Sequence, residues 1–108
     1  MNYLINRFTC SPNQLNKMIF QLHQLNTPPI IDYVSEYYDY KNYIEIKDKM
    51  ELYPNNRFAI KLSSLGIEYS ENKCANQLEQ LIEIAKQQNN IIMIDAENHK
   101  IQERINAL

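Results

Sequence analysis

A lysine and two carboxylates stand where short apolar runs of the sequence end. Lys61 follows the run 58–60, and Asp95 and Glu97 follow the run 91–94. A lysine is rarely buried without a partner, because removing an ammonium group from water is costly. Lys61 therefore indicates either an exposed strand or a side chain that binds something.

The elements that must position these residues are short strands separated by helices. Apolar stripes at three- and four-residue spacing predict the helices, and short β-branched or aromatic runs predict the strands. The expected strands are 30–36, 57–62 and 91–95, and the expected helices are 11–25, about 41–52, 72–88 and 97–108. This alternation predicts an α/β fold with a parallel sheet.

Two of the helices carry recognisable start signals. Ser11 is the expected N-cap of the first helix, with Pro12 at its first position, and Asn72 is the expected N-cap of the helix over 72–88. The expected apolar stripe of the helix over 72–88 consists of Ala75, Leu78, Leu81, Ile82 and Ala85.

Parallel strands bring the groups at their carboxyl ends to one edge of the sheet. Lys61 and Asp95 could therefore share one cavity. The alternatives are a solvated or snorkelling Lys61 and an Asp95 that caps the following helix. Binding of a divalent cation by Asp95 and Glu97 is a further alternative, which two carboxylates support weakly.

The composition excludes several classes of protein. The chain has 108 residues and a net charge of −2 without a basic cluster, so we expect one small domain that does not bind nucleic acid. No apolar run is long enough to span a membrane, and the N-terminus lacks the pattern of a secretory signal. A single glycine, Gly66, excludes a Rossmann or P-loop phosphate site.

The cysteines and histidines show no ligand spacing. Cys10 and Cys74 are far apart, so we expect buried or incidental thiols in a reducing intracellular compartment. His23 and His99 are expected to be ordinary helix or surface residues, and no metal site is predicted.

Three segments carry a resemblance to a known family. "IIDYVSE", "RFAIKLSSLG" and "IIMIDAE", in this order and with these separations, resemble the first strands of the proline dehydrogenase catalytic barrel. The resemblance covers about residues 15–108. The matching positions are Asp32, Tyr33 and Glu36; Ile60, Lys61, Leu62, Ser63, Leu65 and Gly66; and Ile94, Asp95, Ala96 and Glu97.

The resemblance implies a TIM-like (βα)8 barrel in incomplete form. The chain would hold the first three βα units over 30–108, preceded by an N-terminal helical segment over 1–29. A complete barrel takes about 250 residues. The resemblance therefore implies an incomplete site in the isolated chain, which is either truncated or completed by a second chain that carries the remaining strands.

The resemblance also implies a chemistry. The family oxidises L-proline to Δ1-pyrroline-5-carboxylate, with hydride transfer to FAD and a quinone-type acceptor. By resemblance Lys61 binds the substrate carboxylate, Asp95 belongs to the catalytic polar network, and Ala96 lies against FAD. The alternatives are a non-catalytic remnant, or a small α/β interaction module that self-associates through exposed strand edges.

Overall fold

The computed structural model describes residues 3–5, 8–26, 29–33 and 40–95. The elements are β1 (Tyr3–Ile5), β2 (Phe8–Cys10), α1 (Pro12–Gln24), β3 (Ile30–Tyr33), α2 (Tyr40–Leu52), β4 (Arg57–Ile60), a 3-10 helix (Leu62–Leu65), α3 (Glu71–Gln88) and β5 (Ile91–Ile94).

The strands form one mixed sheet in the order β2-β1-β3-β4-β5. β3, β4 and β5 are parallel, which confirms the predicted α/β fold with a parallel sheet. β1 and β2 form an antiparallel hairpin that the sequence analysis did not predict. The segment 1–29 thus contributes strands as well as a helix.

The hairpin lies against the edge of β3 that faces away from β4. β1 pairs with β3 in the antiparallel direction, with Leu4 opposite Asp32. In a closed parallel barrel this edge would pair with another parallel strand. Within the described residues the sheet is open, with β2 and β5 at its ends.

The hydrophobic core lies on one face of the sheet, which we call the helix face. Ile31, Phe58 and Ile60 point to it and are at most 2% exposed. They belong to one cluster with residues from all three helices: Leu15 and Ile19 of α1, Tyr43, Ile46 and Met50 of α2, and Leu81, Ile84 and Ala85 of α3. The same cluster joins residues on both sides of position 29, and the boundary between 1–29 and 30–108 stays a prediction.

The helices begin and end close to the predicted positions, with one corrected cap. α3 starts after Ser70, whose Oγ accepts a hydrogen bond from the Lys73 N–H at 3.1 Å, so Ser70 rather than Asn72 is the N-cap. Its buried face is rotated from the predicted stripe. Ala75 and Ile82 are exposed, whereas Cys74, Gln77 and Ile84 are buried.

β4 ends earlier than predicted, and this explains the lysine in the apolar run. The strand stops at Ile60, Lys61 is exposed, and the chain turns directly into the 3-10 helix. Gly66 ends that helix at φ 86°, in the left-handed region that glycine enters without steric cost. Gln77 Nε2 donates to the Leu65 carbonyl at 2.9 Å, which fixes the turn against α3.

Some predictions fall outside the described residues. These are the helix over 97–108, the end of the first predicted strand over 34–36, and the residues Ala96, Glu97 and His99.

Candidate functional site

Three charged residues of the carboxyl edge project from the same face of the parallel strands. Asp32 is in register with Ala59, and Ala59 with Met93. Lys61 and Asp95 each lie two residues further along their strands. Because side chains alternate between faces with a period of two, Asp32, Lys61 and Asp95 share the face opposite the helix face. We call these three residues the carboxyl-edge cluster and this side of the sheet the second face.

The backbone holds the cluster at the ends of β4 and β5. The Asp95 N–H donates to the Ile60 carbonyl at 3.0 Å, so Asp95 continues the pairing of the two strands. Lys61 has an extended backbone, at φ −96° and ψ 129°, as N-cap of the 3-10 helix. The two predicted site residues therefore follow adjacent strand ends.

The surroundings of Asp32 in the cluster disfavour its ionised form. The pKa of Asp32 is raised from 3.8 to about 6, mainly by burial and also by the negative charge of Asp95, while the ammonium of Lys61 opposes both. The pKa of Asp32 therefore depends on the charges of both Lys61 and Asp95. The sequence motif that contains Asp32 predicts no role for it, since the environment of Asp32 depends on cross-strand register.

Below the charged edge, the second face carries apolar side chains and Arg57. Ala59 and Met93 lie at the level of Asp32, and Ile91 lies one pleat lower, beside Arg57. Ile91 is 59% exposed and Met93 is 37% exposed. An apolar floor beneath a ring of charges can hold a small ligand that has an apolar body and a charged head.

The charges of the cluster suit a zwitterion better than an anion. One ammonium and two carboxylates can bind a ligand carboxylate and a ligand ammonium at once. With all groups ionised the cluster has a net charge of −1, which opposes a diphosphate. Asp32, Lys61 and Asp95 therefore do not fit the diphosphate of FAD, and Ala96 lies outside the described residues.

The opposite edge of the sheet has a different chemistry, which sequence reasoning missed. Two Asn-Asn pairs precede β4 and β5, and the first residue of each, Asn55 or Asn89, has positive φ, at 62° and 57°. The second residue of each pair, Asn56 or Asn90, is buried. The visible signal was the repeated "NN" before an apolar run.

Hydrogen bonds join these two loops to each other and to the helices. Asn90 Oδ1 accepts from the Asn56 N–H at 2.8 Å, and Asn90 Nδ2 donates to the Met50 carbonyl at 2.8 Å. Asn89 Nδ2 donates to Asn55 Oδ1 at 2.8 Å. His23 Nε2 lies 2.9 Å from Asn56 Oδ1, so this predicted ordinary helix residue ties α1 to the network. We call this set of residues the asparagine network.

The cysteines and the possible metal ligands complete the search for candidate site residues. Cys10 and Cys74 are buried, as predicted, and burial raises the pKa of the Cys10 thiol. In the part of the chain that the structure describes, no group of three or more His, Cys, Asp or Glu side chains could hold a metal ion. Among the described helices, none is long and apolar enough to cross a membrane.

Comparison of the chain with protein-family models, with curated proteins and with solved structures found no match.

Proposed function

We propose that the carboxyl-edge cluster binds a small zwitterionic amino acid, and that this ligand is L-proline. Lys61 binds the ligand carboxylate, and Asp32 and Asp95 bind its ammonium. The ring of the ligand packs mainly on Met93, which is 37% exposed, because the neighbouring Ala59 is only 7% exposed.

The observation that carries the proposal is the shared position of the three charged residues. They come from three segments far apart in sequence, yet they lie at or directly after the carboxyl ends of three adjacent parallel strands, on one face. The same three segments carry the resemblance to proline dehydrogenase. That resemblance supports L-proline among the amino acids whose charges fit the cluster.

Oxidation of L-proline would require residues in addition to the carboxyl-edge cluster. By resemblance, the family transfers a hydride from L-proline to FAD, and the product is Δ1-pyrroline-5-carboxylate. The carboxyl-edge cluster does not fit the FAD diphosphate, so FAD would have to be held by other residues. For the chain alone we therefore propose ligand binding and no redox step.

The test is an NMR titration of the full chain, labelled with ¹⁵N, with L-proline. We expect weak binding, in the range of about 1 mM, because exposed ion pairs contribute little each. The amide signals of Lys61, Asp95 and Asp32 should shift together. L-proline methyl ester, which lacks the carboxylate, is the matched control ligand and should shift them much less.

Two outcomes would contradict the proposal. One is an absence of shifts at the carboxyl edge at 50-fold higher L-proline than this expected constant, that is at about 50 mM. The other is an equal response to the methyl ester, since binding would then not involve Lys61 and the carboxylate.

A second candidate function, an interaction module, is favoured by β5. Ile91, Met93 and Ile94 of this edge strand are 59%, 37% and 45% exposed, although edge strands are usually protected by charges or proline. A strand of this kind commonly pairs with another chain.

A further inference from the structure

β5 is an edge strand. Its successive residues direct their backbone N–H and carbonyl groups alternately towards β4 and away from it. The N–H groups of Ile91 and Asp95 donate to the carbonyls of Asn56 and Ile60, each at 3.0 Å, so odd-numbered residues of β5 face β4. Consecutive backbone groups of a strand point to opposite edges. The N–H and carbonyl groups of Ile92 and Ile94 therefore point to the outer edge, where the described residues supply no further strand.

This alternation restricts how another strand can join. In an antiparallel pair, directly opposite residues either exchange both backbone hydrogen bonds or exchange none. A strand that docks on β5 must therefore bond to Ile92 and Ile94. Ile92 and Ile94 are the two residues of β5 whose backbone groups face outward. Their N–H and carbonyl groups can therefore bond to the same groups of β5 in a second copy.

The geometry points to a symmetric dimer in which β5 pairs antiparallel with β5 of a second copy. Ile92 lies opposite Ile94 of the second copy, and Ile94 opposite its Ile92, each pair exchanging both backbone hydrogen bonds. Met93 then lies on the twofold axis opposite its own copy. The two sheets become one continuous sheet across this axis, with an isologous interface.

Charge complementarity favours a second copy as the occupant. In this register Asp95 lies opposite Ile91 of the second copy, and Ile91 is in register with Arg57 on β4. Asp95, Ile91 and Arg57 all belong to the second face. The carboxylate of one copy is thus two strand spacings, about 10 Å between Cα atoms, from Arg57 of the other, which the two extended side chains can bridge.

The alternative parallel pairing of two copies lacks this complementarity. In a hydrogen-bonded parallel pair, a residue whose backbone groups face the partner strand lies level with one whose groups face away, so the two copies would be shifted by an odd number of residues and their second faces would lie on opposite sides. Parallel pairing would also leave the assembly without a closed twofold interface. The inference goes beyond amino-acid binding. Lys61, which follows β4, and Asp32 of β3 do not lie at the dimer interface, whereas Asp95 would contact both the ligand and the second copy.

Cysteine cross-linking tests the register in the full chain. Met93→Cys places two thiols on the axis, at a Cα separation of about 4.5 Å, within the disulfide range of about 4.4–6.8 Å. Ile91→Cys, on the same strand and face and more exposed, is the matched control because its opposite residue is Asp95. With oxidised glutathione as the oxidant, we expect Met93→Cys to form an interchain disulfide at least about ten times faster, since proximity of the two cysteines governs the second exchange step, which releases reduced glutathione. Equal rates for the two variants would overturn the register.

Sedimentation velocity tests the dimer itself. The native chain should dimerise with rising concentration up to about 200 µM, since a short strand pair gives a small interface. Ile94→Pro removes an outward N–H without touching the bonds to β4, and it should remain monomeric with an unchanged circular dichroism spectrum. Met93→Lys brings two ammonium groups together on the axis and should give the same result.

Phe20→Lys provides the control for the charge substitution. Phe20 is 61% exposed on α1, away from β5, so this variant should dimerise like the native chain. A native chain that stays monomeric at about 200 µM, or a dimer that persists in both β5 variants, would overturn the inference. Persistence would mean that the copies associate through another surface.

Discussion

The two edges of the parallel sheet differ in the kind of polar side chain that they carry. At the amino edge, buried Asn56 and Asn90 bond to each other and to the backbone of neighbouring elements. At the carboxyl edge, Asp32 is held near a second carboxylate and partly out of water, which raises its pKa to about 6.

This difference separates a structural edge from a candidate binding edge. A buried network of asparagine side chains that bond to one another and to the backbone stabilises the fold. A carboxylate with a raised pKa, close to a lysine, gains from a ligand that supplies an opposite charge. The same division is common in βα folds, where the amino face maintains stability and the carboxyl face binds.

Breaking the asparagine network should have the largest effect on stability. Asn90→Ala leaves the Asn56 N–H and the Met50 carbonyl without their partner, and each unsatisfied buried group costs about 1–3 kcal/mol. We expect a loss of about 2–3 kcal/mol in the free energy of unfolding, measured by urea denaturation.

The neighbouring asparagine provides the control for that measurement. Asn89→Gly keeps the left-handed backbone at φ 57° and removes an exposed hydrogen bond to Asn55. Its effect should stay within about 0.5 kcal/mol. Equal losses for the two variants would show that burial of Asn90 is not what matters.

Removing the charge of Asp32 should increase the free energy of unfolding, whereas Asn90→Ala should decrease it. Asp32→Asn removes a charge that burial and Asp95 both disfavour. We expect the variant to be more stable than the native chain by about 1 kcal/mol at pH 7, and to bind L-proline more weakly. A destabilised variant that still binds L-proline normally would assign Asp32 to the structure rather than to the site.

The pH dependence of that gain follows from the direction of the pKa shift. The folded chain holds the Asp32 proton up to about pH 6, whereas the unfolded chain releases it near its usual pKa of 3.8. The unfolded state therefore binds fewer protons in this window, and the contribution of Asp32 to stability falls as the pH rises from about 4 to about 6. The advantage of Asp32→Asn should be near zero at pH 4 and complete by pH 7, in parallel urea titrations.

Removing the cation of the carboxyl edge should have the smallest effect on stability. Lys61 is exposed, so Lys61→Ala should change the free energy of unfolding by less than about 0.5 kcal/mol. It should weaken L-proline binding by about fivefold, since an exposed ion pair contributes up to about 1 kcal/mol. Lys86→Ala, whose side chain is 71% exposed on α3, is the control and should leave binding unchanged.

The fold could be predicted from the sequence where the signals are local. The apolar runs before Lys61 and Asp95 and the stripes of the helices set the order of the elements, and the structure confirms the α/β fold with a parallel sheet. The hairpin was missed because each of its strands, Tyr3–Ile5 and Phe8–Cys10, is three residues long. Such runs are too short to show a period.

The candidate site was predictable only in part, for a related reason. Lys61 and Asp95 stand at strand ends that the sequence marks. The raised pKa of Asp32 arises from neighbours on two other strands, and the bond from Asn56 to Asn90 spans 34 positions. Contacts of this kind depend on register and packing, which no local pattern in the sequence encodes.

The most direct test of the carboxyl-edge cluster is an NMR titration of the Asp32 carboxyl carbon. The account predicts a pKa of about 6 in the native chain, a lower pKa in Asp95→Asn and a higher pKa in Lys61→Met. A titration near 3.8 that neither substitution moves would show that the three residues do not form one site.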